Sequence, residues 1–109
     1  MIKNVQESRL IEGVSKINLD TFQDVRGEIW TLYSKEYCDY EFVADKITIS
    51  RFGVLRGFHG DPHTAKLISC LSGQFQLAII DTRKNSPTYG CWHPAGQRAR
   101  RFPWAAGNW

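Results

Sequence analysis

The run Gly53-Val54-Leu55-Arg56-Gly57-Phe58-His59-Gly60 sets an arginine and a histidine three positions apart among glycines and apolar residues. It continues through Asp61 and His63 to Lys66, which opens the apolar stretch Leu67-Ile68-Ser69-Cys70-Leu71. Charged and titratable groups in an apolar, strand-like setting are costly to bury, so such a cluster points to a task. A guanidinium offers a fixed fork of donors to phosphate or carboxylate, and an imidazole moves a proton near neutral pH. Anion binding by Arg56, proton transfer by His59 and charge stabilisation by Lys66 is the chemistry these types suggest.

Elements made largely of short strands have to position these residues. Residues 10–20 alternate weakly between apolar and polar, with Gly13 as an interruption. Asp24-Val25-Arg26-Gly27 reads as a turn, and Glu28 to Tyr33 as the strand after it. Residues 34–40 suit a short helix or loop. Lys46 to Phe52 is β-branched and alternating, which predicts a strand. A turn and strand over 53–60, a strand over 65–71, a tight turn at Ser72-Gly73 and a hairpin partner over 74–81 are expected next. A polar turn then runs from Thr82 to Gly90. Short strands at this spacing, with no sustained helical period, predict an all-β antiparallel sandwich or barrel.

Composition narrows the class further. The chain has 109 residues, 42% apolar and 23% charged, an ordinary globular balance for one domain. No run approaches the ~18 apolar residues that span a bilayer, and the first residues lack the apolar core of a secretion signal. No membrane partner and a cytoplasmic location are therefore expected. The three cysteines, Cys38, Cys70 and Cys91, form no CxxC pair, which argues against a zinc or redox centre. All eleven acidic residues lie at or before Asp81. Beyond it come Arg83, Lys84, Arg98, Arg100 and Arg101, with Trp92, Trp104 and Trp109 between and after them. Such a stretch can bind nucleic acid, though no nucleic-acid partner is the favoured reading. Residues 91–109 hold no Ile, Leu or Val and show no alternation, poor material for a closing strand.

Several motifs in order carry a resemblance. Phe22-Gln23-Asp24-Val25-Arg26-Gly27, the Gly53-to-His59 run, Lys66-Leu67 and the turn Asp81 to Gly90 resemble the nucleotide-sugar 3,5-epimerases of deoxysugar pathways, the dTDP-4-dehydrorhamnose 3,5-epimerase type. Within that family, Arg26 to Thr31 and His59-Gly60-Asp61 with Lys66-Leu67 resemble a subgroup acting on GDP-linked keto-heptoses. The resemblance implies a cupin-type antiparallel jelly roll and a homodimer that exchanges strands. It also implies epimerisation at C3, C5 or both of a 4-keto-6-deoxy nucleotide sugar in cell-surface polysaccharide and lipopolysaccharide biosynthesis. By the same resemblance His59 matches the general base, Lys66 a cation near the developing enolate oxygen, and Arg26, Asp45 and Arg56 substrate contacts. No cofactor and no metal are expected.

Blander readings stand beside these. His59 could be a core histidine, and His59 with His63 could chelate a metal as other cupins do, though the downstream ligands of that motif are missing. Arg26 could brace its own turn, and Asp45 could pair with Lys46 on the surface. The resemblance covers about residues 22–89 and stops near Cys91. It therefore implies an N-terminal jelly-roll part over 1–90, an atypical Arg/Trp/Pro-rich tail over 91–109, and a truncated or frame-shifted reading after about residue 91. The family's acid tyrosine and the aspartate that pairs with the base belong to the portion of the family pattern that this sequence lacks, and Tyr33, Tyr37, Tyr40 and Tyr89 do not match the acid's motif position, so impaired activity is expected. A non-catalytic cupin module that binds a sugar nucleotide or a partner chain is the competing expectation.

Overall fold

A computed structural model of the chain describes the backbone of residues 5–98 and 104–106 and the side chains of residues 5–94. Among these residues the regular structure is all strand: β1 (Val5–Glu7), β2 (Val14–Ile17), β3 (Thr21–Asp24), β4 (Gly27–Trp30), β5 (Lys66–Ile68), β6 (Gln74–Ile80), β7 (Trp92–Arg98) and β8 (Trp104–Ala106). They form a four-stranded sheet in the order β1-β2-β8-β5 and two hairpins, β3-β4 and β6-β7, every pairing antiparallel. No helix among the described residues is long and apolar enough to cross a membrane.

The Asp24–Gly27 turn forms as its composition predicts. Val25 and Arg26 make the turn, and Gly27 pairs with Asp24 at φ 136°, a backbone region that glycine enters without a Cβ penalty. Three other expectations are corrected. Lys46 to Phe52 has the alternation of a strand but, like the strand expected within 53–60, pairs with nothing among the described residues, and Ile47 and Ile49 stand in solvent. Alternation reports a two-faced extended segment, whereas a strand also needs a neighbouring backbone to complete its ladder. Residues 66–68 and 74–80 do not pair with each other. The chain turns a corner at 71–73, where the Cys70 thiol points at the carbonyls of Ser72 and Gly73 (3.4 and 3.5 Å), and β5 and β6 enter different sheets. The third is the stretch after Cys91, which supplies both β7 and β8. The seven-residue edge of β6 offers a complete row of donors and acceptors, and β7 answers it from Gln74↔Arg98 to Ile80↔Trp92. Even Pro94, opposite Ala78, is accommodated, because each member of a two-stranded pair is an edge. Tertiary pairing overrides weak intrinsic preference here.

The core is small and lies close to the N-terminal hairpin. Ile11 and Val14 are fully buried, with Ile79 against them. Ile17 and Tyr37 form a second cluster with Val5, Leu19 and Leu67. The Tyr37 hydroxyl accepts from the Asp20 amide (2.8 Å) and donates to the Thr31 carbonyl (3.0 Å), so it fastens Tyr37 to the residues flanking the open end of the β3–β4 hairpin.

A second fastening centres on Asp81, which has no solvent exposure. Its Oδ1 accepts from the Arg83 amide and Nε (3.0 and 2.9 Å), and its Oδ2 accepts from the hydroxyls of Ser86 (2.5 Å) and Thr88 (2.7 Å) and from the Arg83 guanidinium (3.0 Å). The backbone closes the same loop, with Asp81 N–H bonded to Cys91 O and Gly90 N–H to Asp81 O. Arg83 reaches on to the Glu12 carbonyl (2.5 Å), and Thr88 Oγ1 accepts from the Glu12 amide (3.1 Å). The 81–91 turn is thereby tied to the turn between β1 and β2.

Two outcomes follow from these fastenings. Tyr37→Phe leaves a buried amide and a carbonyl without their partner and should cost about 1–2 kcal/mol by urea unfolding. The Arg83 guanidinium holds the Asp81 carboxyl well below the usual carboxylate range, with the Ser86 and Thr88 hydroxyls adding to it against the opposing effect of burial. A carboxyl depressed in the folded state stabilises fully above its unfolded value of about 3.9, and the contribution drains away as pH falls below that. Asp81→Asn should therefore cost on the order of 3 kcal/mol at pH 7. The gap between variant and parent should narrow by pH 2–3, measured as urea midpoints at both pH values.

Candidate functional site

Arg26 stands at the tip of the β3–β4 hairpin, tied to its own turn. Its amide donates to Asp24 Oδ1 (2.8 Å), and Nε and one terminal nitrogen donate to Oδ2 (3.1 and 2.6 Å). The guanidinium and the amide of Arg26 hold the Asp24 carboxyl below its ordinary value. The arginine side chain is nevertheless 83% exposed, so its outer face remains open to an anion. The Asp-x-Arg-Gly spacing was the sequence signal for this pairing.

Asp45 lies exposed on the extended segment after Phe42, and no ion pair joins it to Lys46 among the described residues. Further along, Gly53 (φ 79°) lets the chain reverse, with Val54 N–H bonded to the Arg51 carbonyl (3.3 Å). The reversal brings Ser50 against Arg56, whose Nε donates to the Ser50 hydroxyl (2.8 Å). His59 follows on an exposed stretch, and no hydrogen bond holds its ring among the described residues. Asp61 Oδ1 accepts from the His63 amide (2.8 Å), turning the chain toward β5. Lys66 opens β5 with its side chain exposed. The cost of burying its ammonium, which the apolar sequence context suggested, is therefore not incurred in this chain.

The segment from Val43 to Phe58 is exposed throughout. Val43, Ile47, Ile49, Phe52, Leu55 and Phe58 each keep 73% or more of their surface in contact with solvent. Arg26, Asp45, Arg56, His59 and Lys66 are not joined to one another by any hydrogen bond or ion pair among the described residues. Arg56 lies on this uncovered strip and His59 just after it, while Arg26 is at a hairpin tip and Lys66 on β5. Chemically, Arg26 and Arg56 can each bind an anion and His59 can move a proton, but nothing among the described residues excludes water from the strip.

No group of three or more His, Cys, Asp or Glu side chains that could hold a metal ion occurs among the described residues. The cysteines are unpaired thiols, with Cys38 and Cys70 buried and Cys91 exposed. Two features had no signal in the sequence. His93 Nδ1 lies 3.5 Å from the Ser8 hydroxyl, beside a cavity of about 240 Å³ that Arg9 and Lys16 also line. Tyr33, Tyr40 and Phe42 form a ring cluster, with Tyr33 edge-on to Phe42 at 5.3 Å, bordering a cavity of about 500 Å³. Ser8 and His93 come from opposite ends of the chain, so only the fold could bring them together.

Comparison with known proteins agrees with this architecture. The sequence profile of dTDP-4-dehydrorhamnose 3,5-epimerase matches residues 8–100. A dTDP-4-dehydrorhamnose 3,5-epimerase of Streptomyces griseus is 35% identical over 91 residues, which cover 75% of this chain and 46% of the relative. The crystal structure of the dTDP-4-dehydrorhamnose 3,5-epimerase of Elizabethkingia anophelis superimposes with a TM-score of 0.81 at 27% identity, covering 95% of this chain and 62% of that one. A 4-keto-6-deoxy sugar epimerase from the novobiocin biosynthetic gene cluster of Streptomyces spheroides gives a TM-score of 0.82 at 26% identity, covering 95% and 57%. The chain thus spans about half the length of the relatives it matches in sequence. Its strands are those of the family's cupin-type jelly roll. With the profile match running from Ser8 across the β3–β4 hairpin, the exposed strip and the Asp81 turn, the chain belongs to the dTDP-4-dehydrorhamnose 3,5-epimerase family.

Proposed function

We propose that this chain carries the substrate-holding and proton-abstracting part of a nucleotide-sugar epimerase, acting at C3, C5 or both of a dTDP-linked 4-keto-6-deoxy sugar. The family match through the strip that holds Arg56, His59 and Lys66 is the observation that supports it. The relatives' own activity, on dTDP-4-dehydrorhamnose, favours dTDP over a GDP-linked keto-heptose.

A C–H beside a carbonyl is acidic because its electron pair delocalises onto oxygen as an enolate. In this reading a ring nitrogen of His59 takes that proton, and the Lys66 ammonium stands near the enolate oxygen as charge develops there. Arg26 and Arg56 hold the diphosphate, and Asp45 contacts the nucleotide or sugar. Return of a proton to the opposite face completes inversion. No tyrosine of this chain matches the family's acid, and no carboxylate among the described residues orients the His59 ring. Turnover of the isolated chain is therefore low, and proton exchange with solvent exceeds net inversion.

The site also calls for a cover. The apolar side chains of Val43–Phe58, with the strand-like alternation of Lys46–Phe52, suit pairing with a second copy of the chain. A homodimer that closes this strip over Arg56 and His59 is part of the proposal.

Two measurements test it. In D2O with a dTDP-4-keto-6-deoxy sugar, the chain should place deuterium at C3 or C5, and His59→Ala should lower the rate by a hundredfold or more. Tight binding of the nucleotide sugar with no deuterium uptake would favour the non-catalytic cupin module instead. By sedimentation, the parent chain should be dimeric and Phe52→Asp with Leu55→Asp should shift it to monomer. A monomeric parent would remove the dimer from the proposal.

A further inference from the structure

We infer that the C-terminal strand Trp104–Ala106 is the positioning element for Lys66, the piece of backbone that sets this residue's distance from the N-terminal hairpin. In the four-stranded sheet β5 is an edge whose one neighbour is β8. Lys66 lies opposite Ala106, Leu67 opposite Ala105 and Ile68 opposite Trp104. On its other side the same three residues pair with β2, as Val14↔Ala106, Ser15↔Ala105 and Lys16↔Trp104. Neighbouring strands lie about 4.8 Å apart, so β8 fills a gap of about 9.6 Å between β2 and β5 that nothing else in the sheet spans.

The other supports of β5 are slight. Leu67 packs against the Ile17–Tyr37 cluster. The chain before β5 is the unpaired exposed strip, and the chain after it turns away at the 71–73 corner. The β2 side is held firmly, since the turn ahead of it is tied through Glu12 to Arg83 and Thr88. Position is thus passed from the Asp81 turn to β2, from β2 through β8 to β5, and so to Lys66. Every link from β2 onward is a backbone ladder, which explains how a tail with so little strand-forming character can perform the task.

The inference rests on the proposed role of Lys66 only for its catalytic consequence, and the test separates the two. Proline in a central strand removes a ladder donor. In the Ala105→Pro variant, amide hydrogen exchange should accelerate at least tenfold in both Val14–Ile17 and Lys66–Ile68, with Gln74–Ile80 unchanged. If proline unfolds the whole chain, Ala105→Gly, which weakens the strand but keeps the donor, should give the same pattern at two- to fivefold. Unchanged exchange in Lys66–Ile68, or acceleration there no greater than in Gln74–Ile80, overturns the inference. For the reaction, the variant should lower deuterium uptake by the nucleotide sugar at least tenfold, while the affinity for dTDP stays within threefold. If the variant shows the exchange pattern while the parent places no deuterium in the nucleotide sugar, the proposed function is overturned and the placement of Lys66 by β8 stands.

Discussion

A carboxylate shut away from water is the constraint on which this structure turns. Asp81 has to be ionised to accept from the Arg83 guanidinium, the Ser86 and Thr88 hydroxyls and an amide at once. An isolated buried charge is prohibitive, so the surrounding turn must close completely around it or not form at all. Closure fixes Arg83 and Thr88, and those two side chains grip the backbone of Glu12. Space is equally tight there, since a Cβ on Gly13 would come within 3.3 Å of the Arg83 guanidinium. The β6–β7 hairpin and the N-terminal hairpin therefore share a single polar clasp, beside which Ile11, Val14 and Ile79 pack.

Away from that clasp, anchoring contacts thin out. Among the described residues, those proposed for the reaction are exposed and held by few long-range contacts. Arg26 is gripped by Asp24 and Arg56 by Ser50, both through contacts between near neighbours in sequence. His59 lies between Gly57 and Gly60, with no element packed over it. Proton abstraction from carbon needs a base held to within a fraction of an ångström and shielded from bulk water. Among the described residues nothing packs over Val43–Phe58, so the reaction proposed for this chain would need that strip enclosed.

Much of this was legible in the residues themselves. Turns declared by glycine and aspartate formed as read, at Asp24–Gly27 and along Asp81–Gly90, because their geometry is decided within a few residues. Lys46–Phe52 was misread because alternation says which faces a segment has and is silent on whether a neighbour exists. The pairing of β5 with β8, rather than with β6, was hidden for a related reason. Two strands joined by a short turn are the natural guess for a hairpin, and the corner at Cys70–Gly73 is built from weak thiol contacts with no distinctive spacing. The tail misled most, since its composition argues against strands while its position offers it two waiting edges. Arg26 illustrates the site: its bracing of the turn and its open outer face coexist, so the bland and the functional readings were never exclusive.

The placement of β8 has a further consequence for how the molecule comes into being. Val14 and Ala106 are partners in one sheet, so β2 and then β5 keep open ladder edges until β8 has been synthesised and has docked. The pairing also has to meet the closure entropy of the long loop between β2 and β8. A nascent chain therefore passes through a period in which those edges and the apolar strip are exposed together, the condition in which chains stick to one another. The longer the segment between β2 and β8 takes to emerge, the longer that period lasts.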